Sequence, residues 1–222
     1  MPELKPVVRA LPKIPLGVSD WSKLADKHKN YMFVDKTAKL AELAQNDTVF
    51  IARPRRMGKT TLCSMLYELF THGKESFKGL AVYDLWPETD VYPVIFLSFN
   101  VFSGDDVSKF EESLKDAVIN AFINAGFPEA ERIQKEVTFS GFLGKFNRIA
   151  LQHKLVIIID EWDYPLSNSL HNEDRFNVVK SVLRDFYAWL RALPNVHFML
   201  VTGIMRYRET SLFSGQDIQD LS

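Results

Sequence analysis

The triplet Gly58-Lys59-Thr60 concentrates more potential chemistry than any other part of the chain. It follows a short apolar run, Val49 to Ala52, and opens a stretch with Leu62, Met65, Leu66, Leu69 and Phe70 at helical spacing. Strand, loop and helix in that order make a cradle for polyphosphate. Amides at the helix start point at anionic oxygens, Lys59 reaches the outer phosphates, and Thr60 offers a hydroxyl to Mg2+. The set expected to hold the phosphates is Arg55, Arg56, Met57, Gly58, Lys59, Thr60 and Thr61. In the spacing G-x-x-x-x-G-K-[ST] the first glycine falls on Arg53, so the turn must keep an ordinary dihedral there. Arg55 and Arg56 either touch phosphate or stay solvated.

A second chemical site ends the run Lys154-Leu-Val-Ile-Ile-Ile-Asp160, about 100 residues downstream. A carboxylate is a hard oxygen ligand, and one fixed at the end of a rigid strand is placed to hold Mg2+ together with Thr60. Glu161 is offset by one residue, points elsewhere, and suits a base that takes a proton from water attacking the terminal phosphate. Thr202, at the end of the next apolar run, is a candidate sensor of that phosphate or that water. Arg206, four residues further, is a candidate for charge stabilisation. Asp163 is expected to pin the turn before Pro165.

Four strand-like segments would have to position these groups: one just before the loop, then 91–99, 154–160 and 196–201. Helical patterns separate them, over 108–125, 129–136, 139–153 and from Asn172 to Pro194. Five consecutive aliphatic residues before Asp160 suit a strand covered on both faces, which implies a parallel sheet. Ligands in such α/β folds sit beyond the carboxyl ends of the strands. Residues 1–18 carry four prolines and read as an extended arm, followed by short helices up to residue 47 that pack on a core of 48–222.

Composition narrows the alternatives. With 27 basic and 28 acidic residues, the net charge of -1 argues against nucleic-acid binding by bulk charge, and Arg53, Arg55 and Arg56 form the only dense basic cluster. A single cysteine, Cys63, gives no disulfide framework, and the histidines show no i, i+4 pairing of the kind zinc uses. No run approaches the length of a membrane span, and the expectation is a soluble, cytoplasmic protein.

Blocks across the chain resemble the predicted AAA-ATPase-like proteins of bacteria and archaea. They are Ile14-Pro-Leu-Gly-Val-Ser-Asp-Trp21, Tyr31-Met-Phe-Val-Asp-Lys-Thr37, Arg53-Pro-Arg-Arg-Met-Gly-Lys-Thr60, Tyr92-Pro-Val94, Ile159-Asp-Glu-Trp-Asp-Tyr-Pro-Leu166, Val201-Thr-Gly203 and Ser211-Leu-Phe-Ser-Gly215. The resemblance makes Arg-Pro-Arg-Arg the family's own form of the loop. It implies a three-layer α/β/α P-loop NTPase of the additional-strand, AAA-like kind with a mostly parallel sheet. Lys59, Thr60, Asp160, Glu161, Thr202 and Arg206 would hold the corresponding roles, with ATP and Mg2+ as cofactors. It further implies that the final strand, the lid and a nuclease-like effector lie beyond residue 222, and that nucleic acid would be met only through that missing part. The expected activity is Mg2+-dependent ATP hydrolysis that regulates the effector. The rival is a nucleotide-gated interaction module, homo-oligomeric or bound to a protein partner, with little hydrolysis.

Overall fold

In the computed structural model, residues 11–102, 107–135, 138–205 and 219–220 are described. The apolar runs form one sheet of β1 (Thr48–Ala52), β2 (Val94–Ser98), β3 (Leu155–Asp160), β4 (Val196–Gly203) and β5 (Gln219–Asp220). Its spatial order is β2-β3-β4-β1-β5, with every pairing parallel. One strand, β4, therefore stands between the strand leading into the glycine-lysine loop and the strand ending in Asp160. Strand alternation sorts the side chains into two cores. Phe50, Leu97, Ile157, Ile159 and Val201 face one, while Val49, Ile51, Val156, Ile158 and Leu200 face the other.

The second core is covered by α1 (Trp21–Leu24), α2 (Ala38–Leu43), α3 (Lys59–His72) and α4 (Ala81–Leu85). The first is covered by α5 (Val107–Asn124), α6 (Phe139–Gly144), α7 (Asn147–Gln152), α8 (Tyr164–Ser167) and α9 (Glu173–Ala192). Helices on both faces of a parallel sheet, with β4 inserted between β1 and β3, make a three-layer α/β/α P-loop NTPase fold. Helix α3 buries Cys63, Leu66, Leu69 and Phe70, one stripe at i, i+3, i+6 and i+7, and stops where Gly73 takes φ 80°. In α9, Asn172 accepts a hydrogen bond from the Arg175 amide, and the helix ends at Leu193 because the residue before Pro194 is driven to an extended conformation.

Several sequence expectations change in detail. The first of the short helices expected before residue 47 is α1, capped by Asp20, and a short 3-10 turn follows at Lys27–Lys29. The segment 139–153 breaks into α6 and α7 around Lys145 and Phe146, and the helix near 129–136 is a 3-10 turn over Pro128–Arg132. Tyr31 makes a single parallel bridge to Lys13. The last strand was expected wholly beyond residue 222, but Gln219 and Asp220 already pair with Val49 and Phe50. Arg206 and the block 211–215 lie outside the described residues. Among the described residues no helix is long and apolar enough to cross a membrane.

Asp35 ties the segment before α2 to α4. Its Oδ1 accepts from the Thr37 hydroxyl (2.6 Å) and amide (2.8 Å), and its Oδ2 from the Ala81 amide (2.8 Å). The Thr37 hydroxyl, then the Thr37 amide, hold the carboxyl below its ordinary pKa; burial opposes them less strongly, and the Ala81 amide adds a smaller downward effect. Its stabilisation is therefore complete above the unfolded pKa and is lost as pH falls through the lowered folded value. We expect Asp35→Ala to lower Tm at neutral pH and to flatten the acid-side fall of Tm. Thermal melts between about pH 7 and about pH 3 check this.

Candidate functional site

Register brings the chemistry to one level. Ala52 lies beside Gly203 and Ile159 beside Val201, so the loop begins where Asp160 and Thr202 end their strands. The Arg53 amide continues the ladder by donating to the Gly203 carbonyl (3.0 Å). Asp160 is fully buried and accepts from both sides: Thr60 Oγ1 donates to Oδ2 (2.8 Å) and Thr202 Oγ1 to Oδ1 (2.6 Å). Thr202 spends its proton on Asp160, so the buried Cys63 thiol, 3.9 Å away, is left as the donor between these two. Burial first, and then the Asp160 carboxyl, push the Cys63 thiol well above its ordinary pKa, which keeps it protonated and inert.

The loop turns at positions other than the one expected to need glycine. Arg56 (φ 66°) and Gly58 (φ 78°) take the left-handed conformation, and Arg53 does not. A non-glycine residue in that region costs on the order of 1–2 kcal/mol, so Arg56 stores backbone strain inside the loop. Lys59 is only 7% exposed, and its Nζ donates to the Arg53 (2.8 Å) and Pro54 (3.1 Å) carbonyls. The ammonium is thus held by the loop at the start of α3, where the backbone amides of the first turn have no partner within the helix.

Glu161 is a second strained residue, at φ 56°. Burial and the adjacent Asp160 raise its carboxyl pKa, while Lys59 and Arg55 act in the opposite direction and Asp163 adds a smaller push upward. Asp163 was expected to pin the turn before Pro165; it precedes α8 without a side-chain cap bond there, and its Oδ2 accepts instead from the amides of Ile204 (2.9 Å) and Met205 (2.7 Å) beyond β4. Trp162 lies against Gly203, where a Cβ would sit 2.3 Å from the indole ring. That close approach is what the glycine of Thr202-Gly203 permits.

A cleft of about 740 Å³ collects most of the expected residues: Arg55, Arg56, Gly58, Lys59, Thr60, Thr61 and Glu161. Met57 faces a neighbouring cavity instead, together with Thr202. Asp160 does not line the cleft and reaches it through Thr60. The rest of the lining is Pro15 to Ser19, and the sequence showed Pro15 to Val18 only as part of an extended arm. Its proline and glycine marked an irregular segment, yet nothing local signalled that it folds over the loop. Chemically, the cleft combines cationic side chains, a helix start and the Thr60 hydroxyl, with the Asp160 carboxylate bonded behind it; these oxygens are hard donors of the type Mg2+ takes.

A family model described as "Predicted AAA-ATPase" matches residues 15–213. A protein of Azotobacter chroococcum mcd 1, described as "Uncharacterized protein in vnfD 5'region", is 28% identical over 213 residues. The match covers 95% of this chain and 41% of that relative, so the chain spans well under half of the relative's length.

Two predictions test the scaffold around Asp160. Thr202→Val removes a donor to a buried carboxyl at nearly constant volume and should cost about 1–3 kcal/mol, read as a lower urea midpoint with unchanged slope. Gly203→Ala should cost a similar amount, about 1–3 kcal/mol, and disturb the near-ultraviolet signal of Trp162.

Proposed function

The chain belongs to the predicted AAA-ATPase family, and from that premise we propose that it is an ATPase module that binds ATP with Mg2+ and hydrolyses it. The observation that carries the reading is the hydrogen-bonded chain Thr60, Asp160, Thr202, which joins the helix start and the ends of two strands beside a cationic cleft. Family membership supports nucleotide binding. The residue roles and the hydrolysis are the proposal.

Lys59 would exchange its bonds to the Arg53 and Pro54 carbonyls for bonds to the outer phosphates. Both acceptors are neutral backbone oxygens, so an anionic phosphate competes favourably for the ammonium. The paired oxygens of Thr60 and Asp160 fit Mg2+, which would supply charge neutralisation to the phosphates. Glu161 sits at the cleft with a raised pKa, which makes it a stronger base than an ordinary carboxylate for the proton of an attacking water. Arg55 and Arg56 add positive charge on the same wall. Thr202 would report the state of the terminal phosphate through Asp160, and Arg206 keeps the charge-stabilising role that its place after β4 suggests. Catalysis of this kind rests on positioning and electrostatics, with no covalent intermediate. The greater length of the Azotobacter relative supports the further reading that turnover regulates an effector outside such a module.

Lys59→Ala should abolish ATP binding. Glu161→Gln should bind ATP normally and lose at least about 100-fold in turnover. A phosphate-release assay paired with equilibrium binding separates these outcomes, and undiminished hydrolysis by the Glu161→Gln protein would refute the role given to that residue.

A further inference from the structure

The two segments that precede α2 hold aliphatic side chains out in solvent. Their parallel bridge is closed by the Lys13 amide donating to the Asn30 carbonyl (2.7 Å) and the Met32 amide donating to the Lys13 carbonyl (2.8 Å). Side chains then alternate along the second segment. Tyr31 and Phe33 pack on the second core, while Met32 and Val34 point away from it, 50% and 69% exposed. One residue past the bridge, Ile14 comes level with Met32 and is 68% exposed. Leu16, on the turn that follows, is 85% exposed and lines the charged cleft. Single exposed aliphatic residues are ordinary, whereas several on paired segments mark a surface that meets a partner.

The charges that frame this face are of one sign. Lys36 follows Val34 in the same alternation, and Lys13, Lys27 and Lys29 stand at the bridge end. All four are exposed, and none makes an ion pair among the described residues. The nearby carboxylates are spent on backbone: Asp20 accepts from the Ser22 amide (2.9 Å), Asp26 from the His28 amide (2.9 Å), and Asp35 from the Thr37 and Ala81 amides. A chain of net charge -1 thus presents, on this one face, aliphatic side chains between free ammonium groups.

We infer that the face docks an extended segment of a partner protein in which a few aliphatic side chains lie between acidic ends. The aliphatic side chains cover Ile14, Met32 and Val34. One acidic end meets Lys36, and the other meets Lys13, Lys27 and Lys29, so that charge sets the register of the segment. A second copy fits poorly, because a two-fold contact through the same face sets lysines against lysines. Nucleic acid fits poorly too, since this face offers aliphatic carbon where bases need rings to stack on. A flat bilayer does not follow the face round into the cleft, where Leu16 lies.

The probe is a fluorescein-labelled peptide, Glu-Glu-Leu-Thr-Leu-Thr-Leu-Glu-Glu, titrated into the 222-residue chain and followed by fluorescence anisotropy. It should bind at least about tenfold more tightly than a peptide of the same composition with glutamates in the middle and leucines at the ends. The joint variant Met32→Ser, Val34→Ser should lose at least about tenfold in affinity at unchanged Tm, since both side chains point to solvent. Joint reversal of Lys13, Lys27, Lys29 and Lys36 to Glu should switch the preference to the same peptide with lysine for glutamate. Equal binding of the two glutamate peptides, or no binding of either, overturns the proposal. So does peptide binding that both variants leave intact. Phosphatidylserine vesicles or a DNA duplex bound in place of the peptide, and released by the serine variant, give the face to a membrane or to nucleic acid and overturn it. A dimer in sedimentation that the serine variant dissociates gives it to a second copy and overturns it as well.

Discussion

One buried carboxyl group organises the molecule's working end. Asp160 is fully enclosed at the carboxyl edge of the sheet, where an unsatisfied polar group would cost several kcal/mol on the order of the loss on transfer to an apolar medium. Two threonine hydroxyls, one from the helix after the loop and one from the neighbouring strand, remove that cost. The requirement propagates outward. Thr60 must open α3 within reach of β3, β4 must lie next to β3 with Thr202 level with Asp160, and Gly203 must follow so that Trp162 can pack beneath. Strand order, register and one glycine all answer to a single side chain.

The loop itself is built from competing demands. It concentrates three arginines and a lysine, yet Lys59 is nearly buried and satisfied by carbonyls of the same loop. Arg56 and Glu161, which both line the cleft, sit in a backbone region that side chains with a Cβ seldom adopt. Strain at two positions of one cleft persists because the packed sheet and α3 around them over-determine the backbone. The loop's departure from the usual glycine pattern is resolved by moving the left-handed turn three residues along, from Arg53 to Arg56.

The sheet was legible in the sequence for a simple reason. Its central strands are buried on both faces, and a run such as Leu155 to Ile159 has no other stable environment in a chain of this composition. The loop, Asp160 and Thr202 were legible because strand-to-loop transitions are marked by polar residues directly after apolar runs. The pieces that escaped notice depend on contacts distant in sequence. Pro15 to Ser19 forms a cleft wall, the Trp21 amide donates to Ser64 Oγ (2.8 Å), and Trp21 stacks on Phe77 with ring centroids 4.3 Å apart. No local periodicity encodes such meetings. Helices misjudged in extent, such as 139–153, failed because spacing alone does not reveal a turn in which one helix stops and the next starts.

The strand order also sets a schedule. β2 and β3 neighbour each other, and the helices between them can pack as they are made. β1 pairs only with β4 and β5, which begin at residues 196 and 219. The strand that leads into the glycine-lysine loop is thus synthesised early and acquires its neighbours late. Contacts of such long range are slow to form and leave apolar edges uncovered meanwhile. During synthesis on the ribosome, β1 emerges as an apolar segment awaiting partners, and the cleft beside the loop is among the last parts of the molecule to assemble.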